Sequence, residues 1–173
     1  SNTIYEGRDL CKTNSIKTDA FKLTEFGTLG FMRDEEVYLL HTPYRPHTMK
    51  SEFSKLGLSE IPAVEIFHVH QSADPKLLQY MLDHYDCVIL AVTGSGNYPK
   101  PIQKVIEDYD GPCVIVRSSR LQEGAVYPSD VFDPKHKTIP AFRIPPHKAR
   151  ILLQLALSKT KDPQQLTEIF EKY

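Results

Sequence analysis

The chain has 173 residues, 40% of them hydrophobic and 25% charged, with a formal net charge of -1. That is enough for one domain of moderate size, or a domain with an attached arm, around a real apolar core. Lys, Arg, Asp and Glu are interspersed, so there is no basic stripe for nucleic acid, and no apolar stretch approaches the roughly 20 residues of a membrane-spanning helix. Neither nucleic acid nor a membrane is therefore expected as a partner.

The opening residues have neither an initiating Met nor a signal-peptide pattern, and Ser1-Asn2 reads as a remnant of tag cleavage on an engineered or processed piece. Residues 1–41 are expected to form a β arm. Within it, Thr28–Met32 and Val37–His41 are β-type runs around the polar turn Arg33-Asp34-Glu35-Glu36. Pro43, Pro46 and Pro62 among polar residues mark 42–62 as an extended connector.

From residue 63 onward strands alternate with helices, which predicts an α/β fold for 63–173: a three-layer domain around a mostly parallel, Rossmann- or flavodoxin-like sheet. A strand over Ala63–Val69 is followed by a helix over Pro75–His84, with Leu77, Leu78, Met81 and Leu82 at helical spacing. The apolar run Cys87–Val92 is a strand that opens into Thr93-Gly94-Ser95-Gly96-Asn97. A helix follows, with Pro101 near its start and an Ile102, Val105, Ile106 stripe, and Pro112–Val116 is the next strand. The Pro-rich stretch 118–146 has little strand character and is long for a connection, which makes it a candidate functional loop. Pro146–Lys159 forms an apolar helix through Ile151, Leu152, Leu155 and Ala156. Asp162-Pro163 caps a closing helix with Leu166, Ile169 and Phe170 facing inward.

The βαβ unit at 87–117 places the 93–97 loop at the carboxyl end of a strand, where ligands of open α/β sheets bind. Gly94 and Gly96 permit positive φ and close backbone approach, a freedom that also serves an ordinary turn. A dinucleotide is not expected, because Pro99 stands where the G-x-G-x-x-G pattern needs its last glycine. Thr93, Ser95 and Asn97 instead offer neutral hydrogen-bonding groups, suited to an amide. Cys11, Cys87 and Cys113 are too widely spaced for a zinc motif and read as free thiols, two of them inside apolar runs. His68 and His70 share a strand face but lack the third and fourth ligands of a zinc site, so no metal is expected. Arg117, Ser118, Ser119 and Arg120 read as packing or interface residues, and Arg143, His147 and Arg150 as structural ones.

Six ordered segments together resemble the C-terminal half of bacterial type II L-asparaginases. They are Gly7–Asn14 (Gly-Arg-Asp-Leu-Cys-Lys-Thr-Asn), Phe26–Phe31, His41-Thr42-Pro43, Thr93–Asn97, Val116–Arg120 and Lys148–Leu157, the last running on to Lys161-Asp162-Pro163. The resemblance covers essentially the whole chain. It implies hydrolysis of L-asparagine, and in some degree L-glutamine, to the acid and ammonia through a threonine acyl-enzyme, with no metal or organic cofactor. It also implies that the nucleophile belongs to an N-terminal domain that these residues do not match, so the chain alone is expected to be inactive. By match to the Lys-Thr-Asn motif, Lys12 would assist proton transfer, a role that suits a lysine able to lose its proton reversibly.

In the resembled family a neighbouring subunit completes each site, with an Asn of the strand-end loop and an acidic residue of the later loop. Asn97 and Asp130 would be those substrate-binding residues, Asp130 standing where the family has Glu, with Asp133 as the alternative. A homo-oligomer, dimer or tetramer, is implied. A periplasmic or secreted location is implied too, with a cytoplasmic one also open. The alternative to an enzyme is a non-catalytic module that binds an amino acid or serves oligomerisation.

Overall fold

A computed structural model describes residues 2–23, 25–57 and 60–173. Ser1 and residues 58 and 59 of the expected connector lie outside the described residues. The chain divides into two compact units, residues 1–54 and 55–173.

In the first unit, β1 (Thr3–Ile4), β4 (Gly30–Arg33) and β5 (Glu36–Leu39) form an antiparallel sheet in the order β1-β4-β5, and β2 (Cys11–Lys12) pairs with β3 (Phe21–Lys22). The hairpin ladder runs further than its sequence indicates, to an Arg33–Glu36 pair. Asp34 and Glu35 make the turn with φ of 52° and 67°. Positive φ at both central residues matches the right-handed twist of the flanking strands, which is why so tight a turn closes here. Phe31 and Tyr38 face each other across the ladder with stacked rings 5.2 Å apart, the kind of cross-strand pair that fixes register.

The second unit is a parallel sheet in sequential order: β6 (Val64–His68), β7 (Cys87–Val92), β8 (Val114–Ser119) and β9 (Ile139–Pro140). Each early crossover is a helix, α1 (Pro75–His84) and then α2 (Lys100–Asp108). The uniform hand of parallel crossovers puts both on one face, where they pack together. Their buried Leu78, Met81, Leu82, Ile102 and Ile106 meet Phe67, Val88, Leu90 and Ile115 from the strands. α3 (Pro146–Leu157) crosses β6, β7 and β8, and α4 (Pro163–Lys172) packs on α3 and β9. The result is the expected three-layer α/β/α arrangement.

β7 is buried at all six positions, as a central strand covered on both faces must be. Asp162 caps α4 as expected, accepting from the Gln165 amide, and Asp74 caps α1, accepting from the Lys76 amide, both at 2.9 Å. Two elements differ from expectation. α3 buries Ala149, Leu153, Ala156 and Leu157, whereas Ile151 is half exposed, because an almost uniformly apolar helix carries little information about which face turns inward. β8 starts later than Pro112 and continues through Arg117-Ser118-Ser119, polar residues that are all buried. Ser118 Oγ donates to the Ile144 carbonyl at 2.7 Å, which satisfies its hydroxyl inside the fold.

Candidate functional site

The carboxyl ends of β6 and β7 frame a cavity of about 480 Å³, lined by Val69, His70, Gln71, Thr93, Asn97, Tyr98 and the Pro99–Pro101 start of α2. Thr93 and Asn97 close the intervening loop on itself. The Asn97 amide donates to the Thr93 carbonyl at 2.9 Å, and the Asn97 carbonyl accepts from both the Thr93 amide and its hydroxyl, at 3.2 and 3.1 Å. Such a closed turn needs Gly94 at φ 54° and Gly96 at φ 132°, conformations that cost an L-residue. The backbone of Asn97 is thus fixed while its side chain stays exposed. It does not cap α2, whose N-cap is Pro99 with no side-chain cap.

Asp130 lies on the long loop between β8 and β9, with its side chain 87% exposed and an oxygen 3.4 Å from His136 Nε2. So exposed a pair holds its geometry weakly, and the carboxylate remains available to a ligand. Asp133 has the opposite setting. It is 4% exposed and accepts from the Lys137 amide, the Thr138 amide and the Thr138 hydroxyl, at 2.8, 2.8 and 2.6 Å. Three donors from 137–138 hold this buried carboxylate, so it organises the loop, while Asp130 faces outward.

Two side chains join these loops: Arg117, expected as a packing or interface residue, and Tyr98, which the sequence did not mark. The Tyr98 hydroxyl donates to the Phe132 carbonyl, and burial, with Asp133 nearby, pushes its pKa up to about 12, keeping it a donor. Arg117, 1% exposed, donates from Nε to Thr138 Oγ1 and from Nη2 to the Tyr127 carbonyl, both at 3.1 Å. Burial lowers its pKa, opposed by Tyr98 and Asp133. An Arg within an otherwise apolar strand was the signal available in the sequence, since a buried charge requires partners; Tyr98 gave none.

Lys12 belongs to the other unit. It is exposed at the end of β2, its ammonium 6.0 Å from the Phe21 ring centroid. Its motif neighbours shape the chain beyond it: Thr13 Oγ1 donates to the Ala20 carbonyl at 3.1 Å, and Asn14 Oδ1 accepts from the amides of Ile16 and Lys17, both at 2.9 Å.

The cysteines are free; Cys87 and Cys113 are buried and Cys11 is half buried. Burial pushes both buried thiols up to about 12, which makes them poor nucleophiles. His68 and His70 are both exposed, and among the described residues no cluster of three or more His, Cys, Asp or Glu could hold a metal ion. No helix among them is long and apolar enough to cross a membrane.

Residues 63–170 match the model of the glutaminase/asparaginase C-terminal domain. The whole chain is 35% identical to L-asparaginase 2 of Escherichia coli, covering 51% of that protein, and 30% identical to a probable periplasmic L-asparaginase of Haemophilus influenzae, covering 50% of it. It also superposes on the crystal structure of a probable cytoplasmic L-asparaginase from Campylobacter jejuni with a TM-score of 0.89 at 33% identity, over 99% of this chain and 53% of that one. The chain therefore spans about half the length of the relatives it matches, and their names carry both compartments.

Proposed function

Because the chain belongs to the glutaminase/asparaginase C-terminal domain family, we propose that it supplies the substrate-holding part of an amidohydrolase site that converts L-asparagine, with L-glutamine as a candidate second substrate of the same class, to the acid and ammonia. The observation that carries this reading is the exposed side-chain amide of Asn97, on a backbone held by a closed turn at the carboxyl end of β7 and lining the 480 Å³ cavity. Such an amide donates to one substrate oxygen and accepts from one nitrogen. Asp130 pairs with the substrate ammonium, and its exposed carboxylate, held only by a surface contact to His136, supports that role.

A threonine hydroxyl from outside these 173 residues attacks the side-chain amide carbon. Ammonia leaves, and water then releases aspartate from the acyl-enzyme. Lys12 takes up and returns the proton of the attacking hydroxyl. A second copy of the chain completes each site, so the assembly is a homo-oligomer.

The test is a KM measurement on this chain combined with the amino-terminal portion of the Escherichia coli relative that it does not span. Asn97→Ala and Asp130→Asn are each expected to raise KM for asparagine by about tenfold or more, the loss of one polar contact to a charged ligand. Unchanged KM in both variants removes these residues from the site. Saturable asparagine binding that depends on Asn97, with no ammonia release in any combination, would instead make the chain an amino-acid-binding module.

A further inference from the structure

The geometry points to Arg117 as a positioning residue that sets Asn97 and Asp130 relative to each other by tying the loop of one to the loop of the other. The inference rests on the functional reading above for its consequence in catalysis, though the coupling itself stands on the contacts.

Arg117 pairs in register with Leu90 of β7, so its side chain rises on the α1/α2 face toward the carboxyl ends of the strands. There it holds both ends of the segment that carries Asp130: Nη2 reaches the Tyr127 carbonyl and Nε reaches Thr138 Oγ1. The Thr138 hydroxyl in turn donates a hydrogen bond to Asp133 at 2.6 Å. The remaining terminal nitrogen, Nη1, is buried with no acceptor and lies directly beneath Gly96, where a Cβ would collide with it. Phe132 packs against the same spot, 3.5 Å from that Cβ position. Tyr98, next to Asn97, closes the circuit with its hydrogen bond to the Phe132 carbonyl.

A guanidinium with an unsatisfied N–H inside an apolar layer is a poor way to stabilise a strand, and an aliphatic side chain would fill that place at lower cost. What an aliphatic side chain cannot do is span three loop positions with a rigid fork. The arrangement gives the two substrate-facing residues a common footing although 33 positions separate Asn97 from Asp130 in the chain.

The experiment reads one loop while perturbing the other. Thr138→Val removes the hydroxyl between Arg117 and Asp133 and touches nothing in the 93–97 loop. Amide hydrogen exchange in this variant is expected to speed up about tenfold at Gly96 and Asn97, with amides of α3 and α4 unchanged, and Thr138→Ser is expected to restore the original rates. Arg117→Lys, which keeps the charge but reaches only one partner, should loosen both loops together and serves as the second variant if Thr138→Val does not fold. In the hydrolysis assay, Thr138→Val should raise KM for asparagine about tenfold with kcat within about twofold, since the groups displaced bind substrate. Exchange changes confined to 133–139, with Gly96 and Asn97 unaffected, would overturn the proposal. If the unsubstituted chain combined with the amino-terminal portion of the Escherichia coli relative hydrolyses no asparagine, the functional reading fails, and the exchange result still decides the coupling.

Discussion

Replacing Asp133 with Asn, beside the same change at Asp130, separates the carboxylate that builds the loop from the one that faces outward. In Asp133→Asn one oxygen becomes an amino group. If that group replaces Oδ2, it confronts the Thr138 amide and hydroxyl; if it replaces Oδ1, it confronts the Lys137 amide. Either orientation sets a donor against a donor and strands at least one buried N–H, at about 1–3 kcal/mol. The charge that faces buried Arg117 is lost as well, and an uncompensated buried charge adds a cost of similar size. A total of about 2–4 kcal/mol follows, since these losses overlap. Asp130→Asn removes only a carboxylate 87% exposed, and surface changes of this kind stay within about 0.5 kcal/mol. Urea unfolding followed by circular dichroism reads the difference. With slopes of about 1–3 kcal/mol per molar, the Asp133 variant should unfold at least about 0.7 M earlier, and the Asp130 variant at the parental midpoint. Equal midpoints for the two variants would refute the assignment of structural and outward-facing roles.

Gly96→Ala should destabilise by at least about 2 kcal/mol, because it meets Arg117 at a φ of 132°. Gly94→Ala, at φ 54° with open space around it, should cost about 1 kcal/mol; thermal melts of the two variants check the order. Iodoacetamide at pH 8 should label Cys11 well before Cys87 and Cys113, read by mass spectrometry of peptides, because only Cys11 is outside the buried core. The same burial makes stability depend on alkaline pH. Folded-state values raised from 9.0 to about 12 leave the contribution intact below about pH 9 and erode it as pH rises toward 12, by about 1.4 kcal/mol per pH unit for each thiol. Urea midpoints between pH 8 and 10.5 should fall less steeply in the Cys87→Ala, Cys113→Ala double variant, and an identical slope would contradict this origin.

Much of the second unit was legible in the sequence because its signals were local. Pro75 and Asp162-Pro163 mark helix starts, and Cys87–Val92 is apolar throughout, as a strand covered on both faces must be. The 93–97 loop was equally legible, since its two glycines sit where the backbone turns to positive φ. The polar end of β8 was not. Arg117 and Ser118 show no strand signal until their partners at Tyr127, Thr138 and Ile144, ten to 26 positions away, are in place. The separate roles of Asp130 and Asp133 were hidden for the same reason: three residues apart, they differ only in donors brought round by a turn. Non-local hydrogen bonds decide both cases, and residue type alone carries no record of them.

The most direct test of the central claim is ammonia release from L-asparagine by the purified 173-residue chain, alone and with the amino-terminal portion of the Escherichia coli relative, each with an Asn97→Ala control. No release from the chain alone, and release from the combination that is lost in the control, is the result the account predicts. Release by the chain alone that disappears with Asn97→Ala would contradict it, by placing the nucleophile within these residues.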